Sequence, residues 1–227
     1  MSLGGVYHDA VLTREEGEDL VRLSLSSHHI VAGMDEVGRG ALAGPLVVGV
    51  TTLATWSSPP MGLTDSKLLS ARRREALCKP LIDWVHEWSL GTASAREVDE
   101  HGVRGALKLA SRRALSRLRQ APGIVIMDGP LNLLDDDPEE SSSGADAPSV
   151  ECVVGGDRVV PLISAASVLA KVCRDRAMDR LGASFPAYDW AANRGYGTEA
   201  HRSALRTHGA TLFHRQSWNL GLDDAPS

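Results

Sequence analysis

The stretch IVAGMDEVGRGALAG, residues 30–44, decides how this chain is read. Its apolar lead-in, Ile30-Val31-Ala32, runs up to two adjacent carboxylates, Asp35 and Glu36. Gly38, Arg39 and Gly40 follow at once, and then Gly44. A rigid strand that ends on acids beneath a glycine turn is a common way to present an active site. Adjacent carboxylates repel each other, and burying them without a partner is costly. A divalent cation relieves both problems, and oxygen-only ligands favour Mg²⁺ or Mn²⁺. A surface turn that carries two acids is the competing reading, and this stretch alone leaves it open. A dinucleotide-binding fingerprint is excluded. The spacing Gly38-x-Gly40-x-x-x-Gly44 is one residue too long, and a β-branched run over residues 45–52 stands where that motif needs a helix. Side chains alternate along a strand, so Asp35 and Glu36 can share a metal site only if the strand bends or Glu36 acts from the side.

Working outward, residues 30–34 and 45–54 read as two strands joined by a tight glycine turn, hence an antiparallel pair. Residues 88–95 predict a third strand. The apolar run 124–127 predicts a central strand covered on both faces, ending on Asp128-Gly129-Pro130. Residues 150–154 predict a fifth, closed by Gly155-Gly156-Asp157. Thr13-Arg14-Glu15-Glu16 has capping-box spacing and predicts one short docking helix. Ser70 is the expected N-cap of a helix over 70–87, with Pro80 predicting a kink or a split. Ser94 starts a further helical region, and 103–119 is amphipathic, with Leu107, Ala110, Ala114, Leu115 and Leu118 on one face. Pro161 suits the first turn of a long helix to about residue 181, and a last helix spans 198–208. Residues 131–149 are rich in Asp, Ser, Pro and Gly and predict a long exposed loop, disordered in part.

The 227 residues are 43% hydrophobic and 23% charged, enough for one sizeable core. The expected organisation is an N-terminal segment 1–28, a main domain 29–190, a helical extension 191–220 and a tail 221–227. Cys78, Cys152 and Cys173 are scattered without metal-type spacing, which fits a reducing cytoplasm. The first residues show no basic start or apolar h-region, and no apolar run is long enough to span a bilayer, so neither secretion signal nor membrane is expected. The formal net charge is −5. Much of it comes from acids between 131 and 151, where Lys and Arg are absent. The remainder is mildly basic, with clusters at Arg72-Arg73-Arg74, Arg112-Arg113 and residues 171–180. That balance permits phosphate binding without demonstrating it.

Asp35 and Glu36 end one strand and Asp128 another. Asp175 lies inside the long helix, where Ser164, Ser167, Lys171 and Asp175 follow at intervals that put them on one face. Such a stripe faces either solvent or a polar site, and spacing does not choose between them. Carboxylates from neighbouring strand ends and a helix can hold two divalent ions for in-line phosphoryl displacement. Nucleophile-elbow, P-loop and HExxH motifs are absent.

Five blocks then occur in order: VAGMDEVGRG at 31–40, Asp65-Ser66-Lys67, Ile126-Met127-Asp128-Gly129, SAASVLAKVCRDR at 164–176, and Arg194-Gly195-Tyr196. Together they resemble bacterial ribonuclease HII, over roughly residues 30–218. The resemblance implies an α/β ribonuclease H-like fold, a central mixed five-stranded sheet flanked by helices with a C-terminal helical extension. It implies an endoribonuclease acting on RNA–DNA hybrids and on single ribonucleotides in duplex DNA, a likeness that carries no membrane association and a monomeric, cytoplasmic enzyme. It implies two Mg²⁺ or Mn²⁺ ions held by Asp35, Glu36, Asp128 and, as the fourth acid, Asp175. Gly38, Arg39 and Gly40 match the loop that reads the ribose 2′-hydroxyl. Tyr196 matches the aromatic that stacks on the next sugar, and Ser66, Lys67, Ser167 and Lys171 fall among the matched substrate contacts. The chain departs from the family at Gly155-Gly156-Asp157, where Lys-Gly-Asp is usual, at Trp218, where Phe is usual, and in its long acidic loop. A different nuclease of the same fold and a non-catalytic hybrid-binding protein are the alternatives.

Overall fold

The computed structural model describes residues 7–8, 12–135 and 147–222. The middle of the acidic stretch expected to be disordered, and the 223–227 tail, lie outside the described residues. The chain runs β1 (Tyr7–His8), α1 (Arg14–Ser27), β2 (Val31–Val37), β3 (Leu46–Leu53), a 3₁₀ turn (Ser66–Leu68), α2 (Ala71–Trp84), β4 (Glu87–Ala93) and α3 (Ala95–Leu115). It continues through β5 (Ile124–Asp128), β6 (Ser149–Val153), α4 (Gly156–Val159), α5 (Pro161–Ser184), α6 (Trp190–Asn193) and α7 (Glu199–His208). The sheet order is β1-β6-β5-β2-β3-β4. β2, β3 and β4 are antiparallel, whereas β5 and β6 run parallel to β2. The five strands read from the sequence are all present, and the two-residue β1 adds an edge beside β6.

Alternation divides the sheet between two cores. Ala32, Met34, Leu46, Val48, Val50, Val125 and Met127 pack with Ala106, Leu107, Ala110 and Ala114 of α3. Val31, Leu53, Ile124, Ile126 and Val153 pack on the other face with Val21 of α1 and Leu162 and Ile163 of α5. By the same period of two, Asp35 and Asp128 fall on the α5 face. α5 approaches closely because the strands offer glycine: a Cβ on Gly33 would lie 2.4 Å from Leu162, and one on Gly49 2.6 Å from the Ala166 carbonyl. A separate core of Leu42, Met178, Tyr188, Trp190 and Leu205 joins the C-terminal extension to the end of α5.

Capping chemistry behaves as read. Thr13 and Glu16 form a reciprocal capping box, and Ser70 caps α2. Pro80 neither splits nor ends α2, which runs through it. The amide it lacks would serve a turn whose residues, Ala76 and Pro80, face solvent, where water can satisfy the carbonyl. The two helical regions expected between 94 and 119 form one element broken at Gly102, whose φ of 66° is not helical. That element stops at Leu115, before the expected 119, and Arg119 instead donates its N–H to Glu87.

Candidate active site

β2 pairs with β5 in register up to Met34 and Met127. The next residues on the two strands are Asp35 and Asp128, so neighbouring strand ends bring the carboxylates side by side on the α5 face. Asp35 is buried, and its Oδ1 accepts the Glu36 N–H at 2.7 Å. β2 stays paired with β3 through Val37, and the turn begins at Gly38. The strand therefore does not bend between the two acids. The Asp128 charge acts on both Asp35 and Glu36.

A fourth acid comes from the start of α4. The Asp157 N–H points to Asp128 Oδ1 at 3.4 Å, and the Asp157 side chain is almost wholly buried. Its main-chain carbonyl accepts the Ser164 hydroxyl at 2.8 Å, which locks α4 onto the first turn of α5. Burial pushes the Asp35 carboxyl up to about 8; a Ser167 hydrogen bond opposes this, and the charges of Glu36, Asp128 and Asp157 reinforce it. Burial also raises Glu36, with Asp128 adding to the rise and Arg39 and Lys67 offsetting it. Asp157 is raised by burial and then by Asp128 and Asp65. Lys67 reaches into this negative cluster, with Nζ 3.3 Å from Asp157 Oδ2. Asp65 positions it by accepting the Lys67 N–H at 2.8 Å.

Beside the acids lies a cleft of about 260 Å³ lined by Glu36, Val37, Gly38, Arg39, Gly40, Ser66, Lys67, Ser167, Lys171 and Tyr196. Every substrate-contacting residue expected from the sequence is on its wall. Ser167 donates to the Ser66 hydroxyl at 2.9 Å, tying α5 to the 3₁₀ turn. The half-buried Tyr196 ring faces Arg174 at 5.4 Å and Lys171 at 5.9 Å. The cleft thus joins a carboxylate cluster to cations, a glycine turn and an aromatic ring, a combination suited to a sugar–phosphate chain.

A family model described as Ribonuclease HII matches residues 32–220. The chain belongs to the ribonuclease HII family. Members of this family are endoribonucleases. The chain is 45% identical over 199 residues to ribonuclease HII of Parasynechococcus marenigrum strain WH8102, covering 86% of this chain and 84% of that one. It is 42% identical to ribonuclease HII of Streptomyces avermitilis, covering 87% of this chain and 79% of that one. The crystal structure of ribonuclease H2 from Pyrococcus horikoshii OT3 superposes with a TM-score of 0.66 at 26% identity, over 86% of this chain and 97% of that one. The fold is accordingly ribonuclease H-like.

Within this family frame, Asp175 stands apart from the other acids. Its Oδ1 accepts Lys171 Nζ at 2.7 Å, and Arg74 lies 3.7 Å from Oδ2. Eight residues of helix separate it from Ser167, about 12 Å of rise, and its charge is not among the leading ones that act on Asp35, Glu36 or Asp157. Asp175 instead holds Arg74, which donates to the Ser66 and Leu69 carbonyls and so braces the turn carrying Ser66 and Lys67.

Sequence reading passed over Asp157, yet a signal was there: like Asp128, it lies beside glycine at the end of a short strand. Arg174, Arg215 and the His201–His214 pair were also missed. The two arginines take main-chain partners from segments more than a hundred residues away, and the histidines meet across a turn, so local pattern says nothing of their role.

Proposed function

We propose that the chain cuts the RNA strand of RNA–DNA hybrids, and cuts 5′ of single ribonucleotides in duplex DNA, leaving a 5′-phosphate and a 3′-hydroxyl. The observation that carries this reading is the placement of the Gly38–Gly40 turn and Tyr196 in one cleft with Glu36, whose charge and that of Asp128 act on the buried Asp35 next to it. In this reading Asp35, Glu36, Asp128 and Asp157 hold the cations, and Asp157 replaces Asp175 as the fourth acid. The donor set suits Mg²⁺ or Mn²⁺. It is all oxygen, and the charges of Glu36, Asp128 and Asp157 raise the buried Asp35, with Lys67 beside Asp157. Among the described residues no three His, Cys, Asp or Glu groups form a cage by themselves. Mg²⁺ commonly takes one or two carboxylates and completes its shell from water and substrate phosphate. Two such ions, when bound, supply positive charge to the attacking and leaving oxygens of an in-line displacement.

The chain's own groups orient the substrate. Main-chain groups of Gly38–Gly40 read the 2′-hydroxyl, the one group that separates RNA from DNA at a given sugar. Tyr196 stacks on the following sugar. Lys67 and Lys171, both lining the cleft, draw phosphate into it. The protein acts as a monomer in the cytoplasm; no helix among the described residues is long and apolar enough to cross a membrane.

The test is cleavage of a DNA duplex carrying one ribonucleotide, with and without divalent ion, and with the cut mapped. Metal-dependent cutting at the 5′ side of the ribonucleotide is expected. Cutting of an all-deoxy duplex would instead indicate another nuclease chemistry on this fold, and metal-independent binding without cutting would indicate a hybrid-binding protein.

A further inference from the structure

Two guanidiniums are buried behind the glycine turn, Arg174 at 1% exposure and Arg215 at 0%. They are close enough for their charges to oppose each other. Burying one such charge is costly, and burying two side by side more so. Carboxylates do not compensate them directly. Every hydrogen bond they make among the described residues goes to a main-chain carbonyl. Arg174 donates to Pro45, Arg194 and Ala43 at 2.9, 2.9 and 3.2 Å. Arg215 donates through Nη1 to the Arg39 carbonyl and through Nη2 to the Gly38 carbonyl, both at 2.5 Å. The Trp218 ring lies 4.8 Å beneath the Arg215 guanidinium and holds its plane.

The fork on two successive carbonyls has a geometric consequence. In a trans peptide the N–H points opposite to the C=O of the same unit. With the Gly38 and Arg39 carbonyls drawn inward onto Arg215, the N–H groups of Arg39 and Gly40 are turned outward, towards the cleft. Neither has an acceptor among the described residues. Successive outward amides form a concave donor pair suited to an oxygen-rich ligand. Gly38 sits at a φ of 86°, and a Cβ there would lie 2.3 Å from Arg174 Nε, so the turn and the guanidinium behind it fit each other closely.

We infer that Arg215, backed by Arg174, is the positioning residue that aims the Arg39 and Gly40 amides and so sets the preference for a ribose over a deoxyribose. This rests on the proposed ribonuclease reading of the same cleft. Arg215 touches no substrate; it acts through the turn, and only the two-pronged geometry of a guanidinium can grip both carbonyls at once.

The experiment uses the full chain with divalent ion. It compares the KM for a DNA duplex carrying one ribonucleotide with the inhibition constant of the all-deoxy duplex of the same sequence. Both constants are independent of the fraction of active protein, so general loss of folded enzyme does not move their ratio. Arg215→Lys keeps the charge and loses the fork. It is expected to raise the KM about tenfold, the scale of one hydrogen bond to an aimed donor, while the all-deoxy constant stays put. An unchanged ratio overturns the inference and leaves the ribonuclease reading standing. Failure of the unmodified chain to cut the ribonucleotide duplex sinks that reading first and is seen before any variant is made. If Arg215→Lys does not fold, backbone ¹⁵N relaxation of the unmodified chain decides. Order parameters at Arg39 and Gly40 near about 0.85, as in a rigid strand, support an aimed pair, and values below about 0.6 overturn it.

Discussion

The Lys67 ammonium lies 3.3 Å from the Asp157 carboxylate, joining a turn before α2 to a turn before α5, ninety residues later in the chain. In the proposed metal set Asp157 is the fourth acid, whereas Asp175 is engaged by Lys171 and Arg74. Asp157→Asn is expected to lower cleavage by about a hundredfold or more, the scale of losing one electrostatic contribution to the transition state. Asp175→Asn should stay within about tenfold, because an amide still accepts from Lys171. Measuring both rates on one hybrid substrate decides between them; the reverse ranking would restore Asp175 to the metal set.

Stability without metal should depend on pH through Asp35. Its folded value of about 8 exceeds its ordinary 3.8. Between those values the folded state binds more protons than the unfolded one, so stability falls as pH rises through that window and levels off above it. Melting in EDTA from pH 6.5 to 8 should show this as a loss of about 1–2 kcal/mol. Mg²⁺ or Mn²⁺ should raise Tm more at pH 8 than at 6.5, because binding no longer competes with a proton. A Tm that rises with pH in EDTA would contradict the burial of Asp35.

The His201–His214 pair should give the opposite slope at lower pH. The two Nε2 atoms are 3.1 Å apart, and Trp190 Nε1 donates to His201 Nε2 at 3.0 Å. His201 Nε2 is therefore an acceptor, and His214 supplies the proton between the rings. His214 accepts the Thr211 N–H at Nδ1, so protonating either ring breaks an existing bond. Burial holds His214 down at about 4, with His201 adding to the effect. Its contribution is present above about 6.5 and is lost as pH falls towards 4. Trp190 fluorescence should report this local loss, and His214→Asn should flatten the transition.

Two glycines next to the site should separate packing from function. Gly33→Ala drives a Cβ to 2.4 Å from Leu162 and should destabilise by roughly 1–3 kcal/mol or more, as overpacking does. A Cβ on Gly40 meets no atom within 4 Å, so Gly40→Ala should change stability by less than about 0.5 kcal/mol. It should still slow cleavage, since the added methyl sits at the rim of the cleft. Urea titration and single-turnover rates measure the two effects; equal destabilisation by both would refute the contrast.

Much of the scaffold could be read locally. The strand runs, the Thr13 and Ser70 caps, the glycine turn after Glu36 and the motif blocks at Asp35, Ser66, Asp128, Ser167 and Tyr196 are all short-range patterns. Hydrophobic period, capping and φ-restricted turns are properties of neighbouring residues, and the sequence by itself determined them, together with the family. It also placed Asp35 and Asp128 at strand ends. Whether those ends adjoin depends on β2 and β5 pairing in register across ninety residues, and that is a property of the sheet. The choice between Asp157 and Asp175 was likewise tertiary. Both are single acids in or beside helices, and only the docking of α4 against Asp128 and of Arg74 against Asp175 tells them apart. Arg174 and Arg215 make the same point most sharply: a buried guanidinium is stable only where distant carbonyls converge on it, and such convergence exists only once the chain has folded.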